Sequence, residues 1–247
     1  MTDWIQGNIV HKTQWTPRLI SLRFDADVPP FKAGQFARIG LDINGERSFR
    51  SYSFVNAPQE RPHEIYFNIV PHGLLSMRLA TMESGDTLWI DKAVRGLLIL
   101  DEIPDVRHLW MIATGTAIGP YLSILKTDEP WKRFEKIVLV HGVRTTDELA
   151  YASVISRLLN DHGDKLEFIP VTSRETPFHT LHGRIPPLLA NRLLEQRANL
   201  SLDPECCHVM LCGNSGMIDG AIEILSGRGL TRHRRRDPGR ISIESYY

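Results

Sequence analysis

The sequence predicts two domains: an N-terminal antiparallel β-barrel or sandwich and a C-terminal α/β domain built on a parallel sheet. Three observations carry this. The first hundred residues are short runs rich in β-branched and aromatic residues, separated by turn residues. From about Asp101 onward, apolar runs alternate with amphipathic helical patterns, which marks a parallel sheet covered on both faces. The length of 247 residues fits one large domain or two modest ones, and 42% hydrophobic with 23% charged residues is the balance of a chain with a real core. The boundary falls near residue 100, giving domains of 1–100 and 101–247.

In chain order, strands are predicted over 7–16, 19–26, 35–42, 50–57, 64–70 and 87–93. Pro29-Pro30, Asn44-Gly45 and Ser84-Gly85-Asp86 supply turns between them. One helix interrupts this series. Ser76 is expected to cap a turn through Met77, Leu79, Ala80 and Met82, whose spacing makes one apolar face. Gly73-Leu74-Leu75-Ser76 just before it presents the kind of backbone N–H groups that bind anions. In the second half, strands at 108–113, 136–143, 166–173 and 207–213 alternate with helices at 120–126, 147–159, 185–194 and 216–225. Ile241 and Ile243 alternate with polar residues, so the chain approaches its C-terminus as an edge strand.

Composition narrows the function. Lys+Arg and Asp+Glu are both 29, so no global field draws the chain to nucleic acid or to a membrane surface. No apolar run is long enough to span a bilayer. Met1-Thr2-Asp3-Trp4 opens with no cationic segment leading into an apolar one, so no signal peptide is expected. Three cysteines, two of them adjacent, make no disulfide framework and fit a reducing cytoplasm. Cys206, Cys207, His208 and Cys212 lie on or beside a strand whose neighbours face opposite ways, and their spacing is not that of a zinc site, so no metal is expected.

The stretch Arg47-Ser48-Phe49-Arg50-Ser51-Tyr52-Ser53-Phe54 reads as a buried strand that carries a ligand. Arg50 is a planar fork suited to phosphate, Tyr52 a flat face for a ring, and Ser53 a hydroxyl for a short polar contact. Phosphate, ring and hydroxyl within four residues are what a flavin nucleotide needs. In the parallel sheet, ligands sit beyond the carboxyl ends of the strands. Those ends carry Thr114-Gly115-Thr116-Ala117-Ile118-Gly119-Pro120, then Arg144, then Ser173-Arg174 with Arg184 soon after, then Cys212-Gly213-Asn214-Ser215-Gly216. The glycine loop is not GxGxxG, but three arginines at one sheet edge point to a phosphorylated ligand. Arg232-His233-Arg234-Arg235-Arg236 is the densest basic run and suits an acidic protein partner.

Taken together, the motifs Arg-x-Tyr-Ser, Thr-Gly-Thr-Ala-Ile-Gly-Pro, Ser-Arg-Glu, Gly-Arg-Ile-Pro and Cys-Gly-Asn, in that order, resemble ferredoxin–NADP reductase of the short bacterial ferredoxin/flavodoxin type. The resemblance covers essentially the whole chain. It implies a flavoenzyme with FAD and NADP that moves electrons between NADPH and ferredoxin or flavodoxin, by hydride transfer between nicotinamide and FAD. Arg50 would meet the FAD pyrophosphate, Tyr52 would flank the isoalloxazine, Ser53 would lie near its N5, and Ser51 would bind FAD with them. Tyr66, Phe67, Asn68, Ile69, Leu74, Leu75 and Ser76 would hold the rest of FAD, and Thr116 would approach both cofactors. Val143, Arg144, Ser173, Arg174, Arg184, Asn214, Ser215 and Gly216 would hold NADP, with Cys212 beside the nicotinamide and Glu244 assisting protonation.

Tyr246 and Tyr247 match the family's terminal aromatics, one of which covers the flavin and is displaced before hydride transfer. Many short relatives end in tryptophan instead, which leaves open which tyrosine meets isoalloxazine and which adenine. A monomer is expected. The competing readings are a free-flavin or NADH-dependent reductase of the same fold, and a module that has lost its redox role. A fused iron–sulfur cluster needs four cysteine ligands, and only three cysteines are present.

Overall fold

In the computed structural model, which describes residues 3–246, the chain forms two six-stranded sheets, one antiparallel and one parallel. The first comprises β1 (Trp4–Gln14), β2 (Leu19–Asp25), β3 (Phe36–Ile43), β4 (Glu46–Ser53), β5 (His63–Asn68) and, after helix α1 (Leu74–Ala80), β6 (Thr87–Asp91). Their order is β4-β3-β6-β1-β2-β5. Asn44 and Gly45 both have positive φ, 52° and 86°, the two-residue turn whose twist suits a hairpin between β3 and β4. Just past β4, Phe54 bridges to Ile65 of β5 and the Val55 amide donates to Glu64 O at 2.9 Å. The two ends of the sheet therefore meet and it curls into a half-barrel. Leu22, Phe24, Ile39, Phe54, Ile65 and Leu88 fill its interior with no exposure.

Two expectations for this sheet need correction. The stretch carrying Arg50 is an edge strand, not a buried one: Phe49, Arg50 and Ser51 are exposed, and only Ser53 and Phe54 are buried. Around Arg50 the strand has no paired neighbour beyond β3, so that guanidinium keeps its water, whereas Arg47 is paired with Asp42 and stacked over Trp89. Ser76 is not the helix cap. Gly73 occupies that position, because its amide turns back to Val70 O (2.9 Å) and starts the helix earlier. Ser76 sits in the first turn, where Oγ accepts the Val70 amide (3.1 Å) and donates to Gly73 O (3.2 Å).

The second sheet comprises β7 (His108–Thr114), β8 (Lys136–Val143), β9 (Leu166–Thr172), β10 (Leu181–His182), β11 (Cys207–Asn214) and β12 (Ile241–Tyr246). Every pair is parallel, in the order β10-β9-β8-β7-β11-β12. Its helices are α2 (Ile118–Leu125), α3 (Glu129–Arg133), α4 (Ala152–His162), α5 (Ile185–Ala190), α6 (Leu193–Ala198) and α7 (Ser215–Ser226). The unbroken apolar run from Leu109 to Ala113 is wholly buried, as a strand covered on both faces requires. Each large side chain in that run gains about 1.5–3 kcal/mol over its exposed state. The expected edge strand at the C-terminus is present as β12.

Periodicity misplaces two helices. The helix expected over 185–194 is broken into α5 and α6 by Arg192, which is left-handed at φ 58°. The helix expected from 147 begins only at Ala152, behind a 3-10 turn at Thr146–Glu148 and a left-handed Tyr151. A single left-handed residue leaves the apolar spacing intact, so the pattern reads through it.

One compact unit runs through Ile99 and also takes in Gly119–Thr127; the other holds Leu100–Ile118 and the chain from Asp128 onward. Most of α2 thus belongs with the half-barrel. Within that unit Ser123 Oγ donates to Asn56 O (2.7 Å), while Lys126 Nζ donates to Val55 O (3.2 Å) and pairs with Glu60 (3.2 Å).

Candidate functional site

In the first unit the candidate residues lie on β4, β5 and α1. Pairing with β3 sets Ser51 opposite Arg38, Tyr52 opposite Ala37 and Ser53 opposite Phe36. Arg50 Nη1 donates to the neighbouring Phe49 O (2.7 Å), and the guanidinium has no acidic partner among the described residues. Tyr52 is half-buried edge-on to Phe67, ring centroids 5.9 Å apart at 70°, and burial pushes its phenol up to about 12. The phenol is therefore neutral and the ring serves as a surface. At the end of β5, Asn68 Oδ1 is buried with no hydrogen-bond partner. Leu74, Leu75 and Ser76 open α1, so their amides take no intrahelical carbonyl, and no acidic residue stands in that first turn.

In the second unit the sheet order fixes the place. From β7 the chain moves outward through β8, β9 and β10, then returns to the other side of β7 as β11. That reversal leaves a crevice at the carboxyl ends of β7 and β11, where ligands bind in such sheets. The β7 end continues into a 3-10 turn, Gly115–Ala117, with Thr116 half-buried. The β11 end runs through Gly213 into α7, whose cap is Asn214: Oδ1 accepts the Met217 amide at 3.2 Å. The Asn214 amide in turn donates to Thr114 Oγ1 at 3.0 Å, tying the two strand ends together. At Gly213, φ is 135°, and an added Cβ would lie 2.1 Å from Thr114 Oγ1. Ser215 and Gly216 are exposed at the start of α7, where the backbone N–H groups favour an anion.

Along the edge toward β9, the Ser173 amide donates to Val143 O (3.0 Å) and the Arg174 amide to Arg144 O (2.9 Å). The β8–β9 ladder therefore continues past its last paired residues and brings Val143, Arg144, Ser173 and Arg174 side by side. Gly183 N bonds Thr172 O (2.9 Å), which sets Arg184 next along, at the cap of α5. Arg174 and Arg184 are exposed, and neither guanidinium has an ion pair or hydrogen bond among the described residues.

At the other edge, β12 places Glu244 opposite Cys212 and Tyr246 opposite Asn214. Cys212 is fully buried, hydrogen-bonded by the Tyr246 side chain, and burial with the nearby Glu244 carboxylate drives its thiol well above the ordinary range. It is a neutral thiol, not a nucleophile. Tyr247 lies outside the described residues.

Comparison with known proteins gives this geometry a family. Residues 111–223 match the family described as "Oxidoreductase NAD-binding domain". The chain is 44% identical over 248 residues to the flavodoxin/ferredoxin–NADP reductase of Shigella flexneri, covering 100% of both chains. It is 43% identical to the flavodoxin/ferredoxin–NADP reductase of Escherichia coli (strain K12), again covering 100% of each. The chain belongs to the flavodoxin/ferredoxin–NADP reductase family. A solved ferredoxin NADP+ reductase from Neisseria gonorrhoeae, with bound FAD and NADP, superposes with a TM-score of 0.94 at 34% identity over 100% of both chains.

Three features separate this flavodoxin/ferredoxin–NADP reductase family member from the sequence reading. Arg144 is not an unengaged phosphate ligand. Glu148 accepts its backbone amide (3.0 Å) and its Nε (2.8 Å), and also pairs with Nη2. The 3-10 turn at Thr146–Glu148 folds that carboxylate back onto the arginine. Arg235, inside the basic run, is held by Glu102 through Nε (3.0 Å) and Nη2 (2.7 Å). Arg232, Arg234 and Arg236 remain exposed and form no ion pair among the described residues. The sequence reading also passed over His141, a lone polar residue inside the apolar run of β8. Its Nε2 reaches Gly115 O at 2.9 Å.

Proposed function

We propose that this chain carries FAD on the half-barrel unit and NADP(H) on the parallel-sheet unit, and passes electrons between NADPH and ferredoxin or flavodoxin. The observation that carries the reading is the junction at the β7 and β11 ends, where Gly213 lets Thr114 and the Asn214 cap close around the strand ends. The residues fit both cofactors. For FAD, Arg50 offers donors to the pyrophosphate and Tyr52 a face to the ring. The unpaired Asn68 Oδ1 supplies a buried acceptor, and the amides of Leu74, Leu75 and Ser76 would be available to a phosphate. For NADP, Arg174 and Arg184 offer uncommitted charge to the 2′-phosphate, with Ser173, Ser215 and Gly216 nearby in the fold.

FAD, when bound, takes two electrons together as a hydride and releases them singly, which nicotinamide alone cannot do for a one-electron carrier. The chain's part is to bind and orient. Thr116 sits on the turn that would meet the nicotinamide, and Ser53 ends β4 as a buried hydroxyl. Cys212 stays protonated and serves as a close-packed wall, and Glu244 is the carboxylate placed at that strand end for proton transfer. The Tyr246 side chain bonds Cys212, and the terminal aromatic that covers the flavin, Tyr246 or Tyr247, would be displaced for the nicotinamide. Among the described residues no helix is long and apolar enough to cross a membrane. Three free cysteines favour a reducing cytoplasm, and a monomer is the oligomeric state this reading takes.

The test is spectral and kinetic. Purified protein should be yellow with FAD retained on desalting, and NADPH should drive reduction of ferredoxin or flavodoxin. A free-flavin reductase would lose the colour on desalting and fail to reduce either carrier. Arg50→Ala should weaken FAD retention about tenfold or more, since one charge-assisted hydrogen bond is worth about 1.5–3 kcal/mol. An unchanged flavin-to-protein ratio after dialysis would place the pyrophosphate elsewhere.

The carrier should meet the basic run. Electron transfer to an acidic carrier is expected to slow as salt rises, because exposed charges are screened beyond about 10 Å at 0.1 M. Neutralising Arg232, Arg234 and Arg236 together should flatten that dependence and leave reduction of a small neutral dye intact. Arg235 is left out because Glu102 already holds it. Equal loss of dye reduction would assign the run to the fold or to NADPH.

A further inference from the structure

We propose that His141 is a positioning residue for nicotinamide-nucleotide turnover: from β8 it holds the Gly115 carbonyl and so fixes the backbone of the turn that receives the dinucleotide. This rests on reading Gly115–Ala117 as part of the NADP site.

The hydrogen bonding is one-sided. His141 is opposite Ala113 of β7 and has no exposure. Its Nε2 lies 2.9 Å from Gly115 O. A carbonyl only accepts, so the proton sits on Nε2 and Nδ1 is left bare. That second nitrogen is buried and unbonded. A buried acceptor without a partner is a standing cost that an apolar side chain of the same size would avoid. What the histidine supplies in return is the single bond to Gly115.

The location of that bond gives it a role. Gly115 is left-handed at φ 56° and open on its Cβ side, so contacts around a side chain do not hold it in place. Its carbonyl accepts the Ile118 amide from within the turn, and the bond from His141 adds the tie to β8. The preceding residue, Thr114, accepts the Asn214 amide, and Asn214 accepts the Met217 amide to cap α7. One hydrogen-bonded series therefore crosses the ends of β8, β7 and β11, and His141 is its anchor on the β8 side. Burial lowers the imidazole to about 4, against the upward pull of the Gly115 bond and of Glu148, so the ring remains a neutral Nε2 donor at neutral pH.

The experiment uses the FAD-loaded protein with His141→Leu, His141→Gln and His141→Asn. Steady-state kinetics with NADPH and ferricyanide, NADP+ binding by flavin difference spectra, and the FAD-to-protein ratio are measured for each. His141→Leu should raise KM for NADPH and Kd for NADP+ about tenfold, the worth of one ordinary hydrogen bond, with FAD retained. Gln presents its Nε2 at nearly the reach of the imidazole Nε2 and should recover most of the loss; Asn is too short and should not. The proposal is overturned if His141→Leu stays within about twofold of the parent, or if Gln and Asn are equally impaired. Should His141→Leu fail to retain FAD, the Gln–Asn comparison decides alone. Gly213→Ala in the same assay separates the two layers. If it too leaves KM and Kd unchanged, the NADP assignment of this turn falls; if it raises them while His141→Leu does not, only the role of His141 falls.

Discussion

Gly213→Ala is expected to lower kcat/KM for NADPH by about a hundredfold, because displacement of a reactant-positioning backbone by about 1 Å carries a penalty of that size. At φ 135° any L side chain is strained. The added methyl would also lie 2.1 Å from Thr114 Oγ1 and 3.1 Å from Thr114 N, and no side-chain rotation removes the second contact. Either β11 or the Thr114 end of β7 must give way, and the Asn214–Thr114 bond goes with it. FAD content should be unchanged, since Gly213 belongs to the parallel-sheet unit. Gly45→Ala is the matched control: its φ is 86° but nothing lies within 4 Å, so it carries the strain without the collision. If both variants show the same kinetics as the parent, the strand-end junction is not where the nucleotide binds.

The second large effect concerns coenzyme choice. Arg174→Ala combined with Arg184→Ala should raise KM for NADPH about a hundredfold or more and barely change that for NADH, each lost charge-assisted bond being worth about 1.5–3 kcal/mol. These two guanidiniums are uncommitted, so their full charge is available to a 2′-phosphate. Arg144→Ala should discriminate less between the coenzymes, because Glu148 already neutralises that arginine. Steady-state kinetics with both coenzymes on the double variant and on Arg144→Ala measures this directly. Parallel losses for NADPH and NADH in the double variant would move the 2′-phosphate away from Arg174 and Arg184.

Much of this architecture was legible because it is written in local pattern. The run from Leu109 to Ala113 is apolar without alternation and too short for a buried helix, which leaves a strand buried on both faces. Asn44-Gly45 between two strand patterns announces its hairpin. What stayed hidden depends on neighbours that a linear pattern does not contain. Whether Arg50 lies on an inner or an edge strand is decided by the order β4-β3-β6, which no window of residues encodes. Arg235 and Glu102 are far apart in the chain, and nothing in either segment points to the other. Arg144 and Glu148 are four apart, a visible spacing, but helical pairing rules do not apply to a strand end followed by a 3-10 turn. His141 did carry a signal. A histidine within Val138-Leu139-Val140-His141 is a polar group in a core strand, and asking where its hydrogen bond goes leads to Gly115.

The interleaving of the two units bears on how the chain is made. Residues through Ile99 emerge first during synthesis, yet the half-barrel unit also needs Gly119–Thr127, including the Ser123 hydroxyl that donates to Asn56 and the Lys126 ammonium that pairs with Glu60. At roughly 5–20 residues per second, that segment arrives about one to six seconds later. In the interval the barrel strands are present without the helix that completes them, and the start of the second sheet, β7, has already been translated between the two pieces. Completion of the first domain is thus coupled to the beginning of the second, and a fragment cut at residue 99 is a half-barrel lacking one of its own parts.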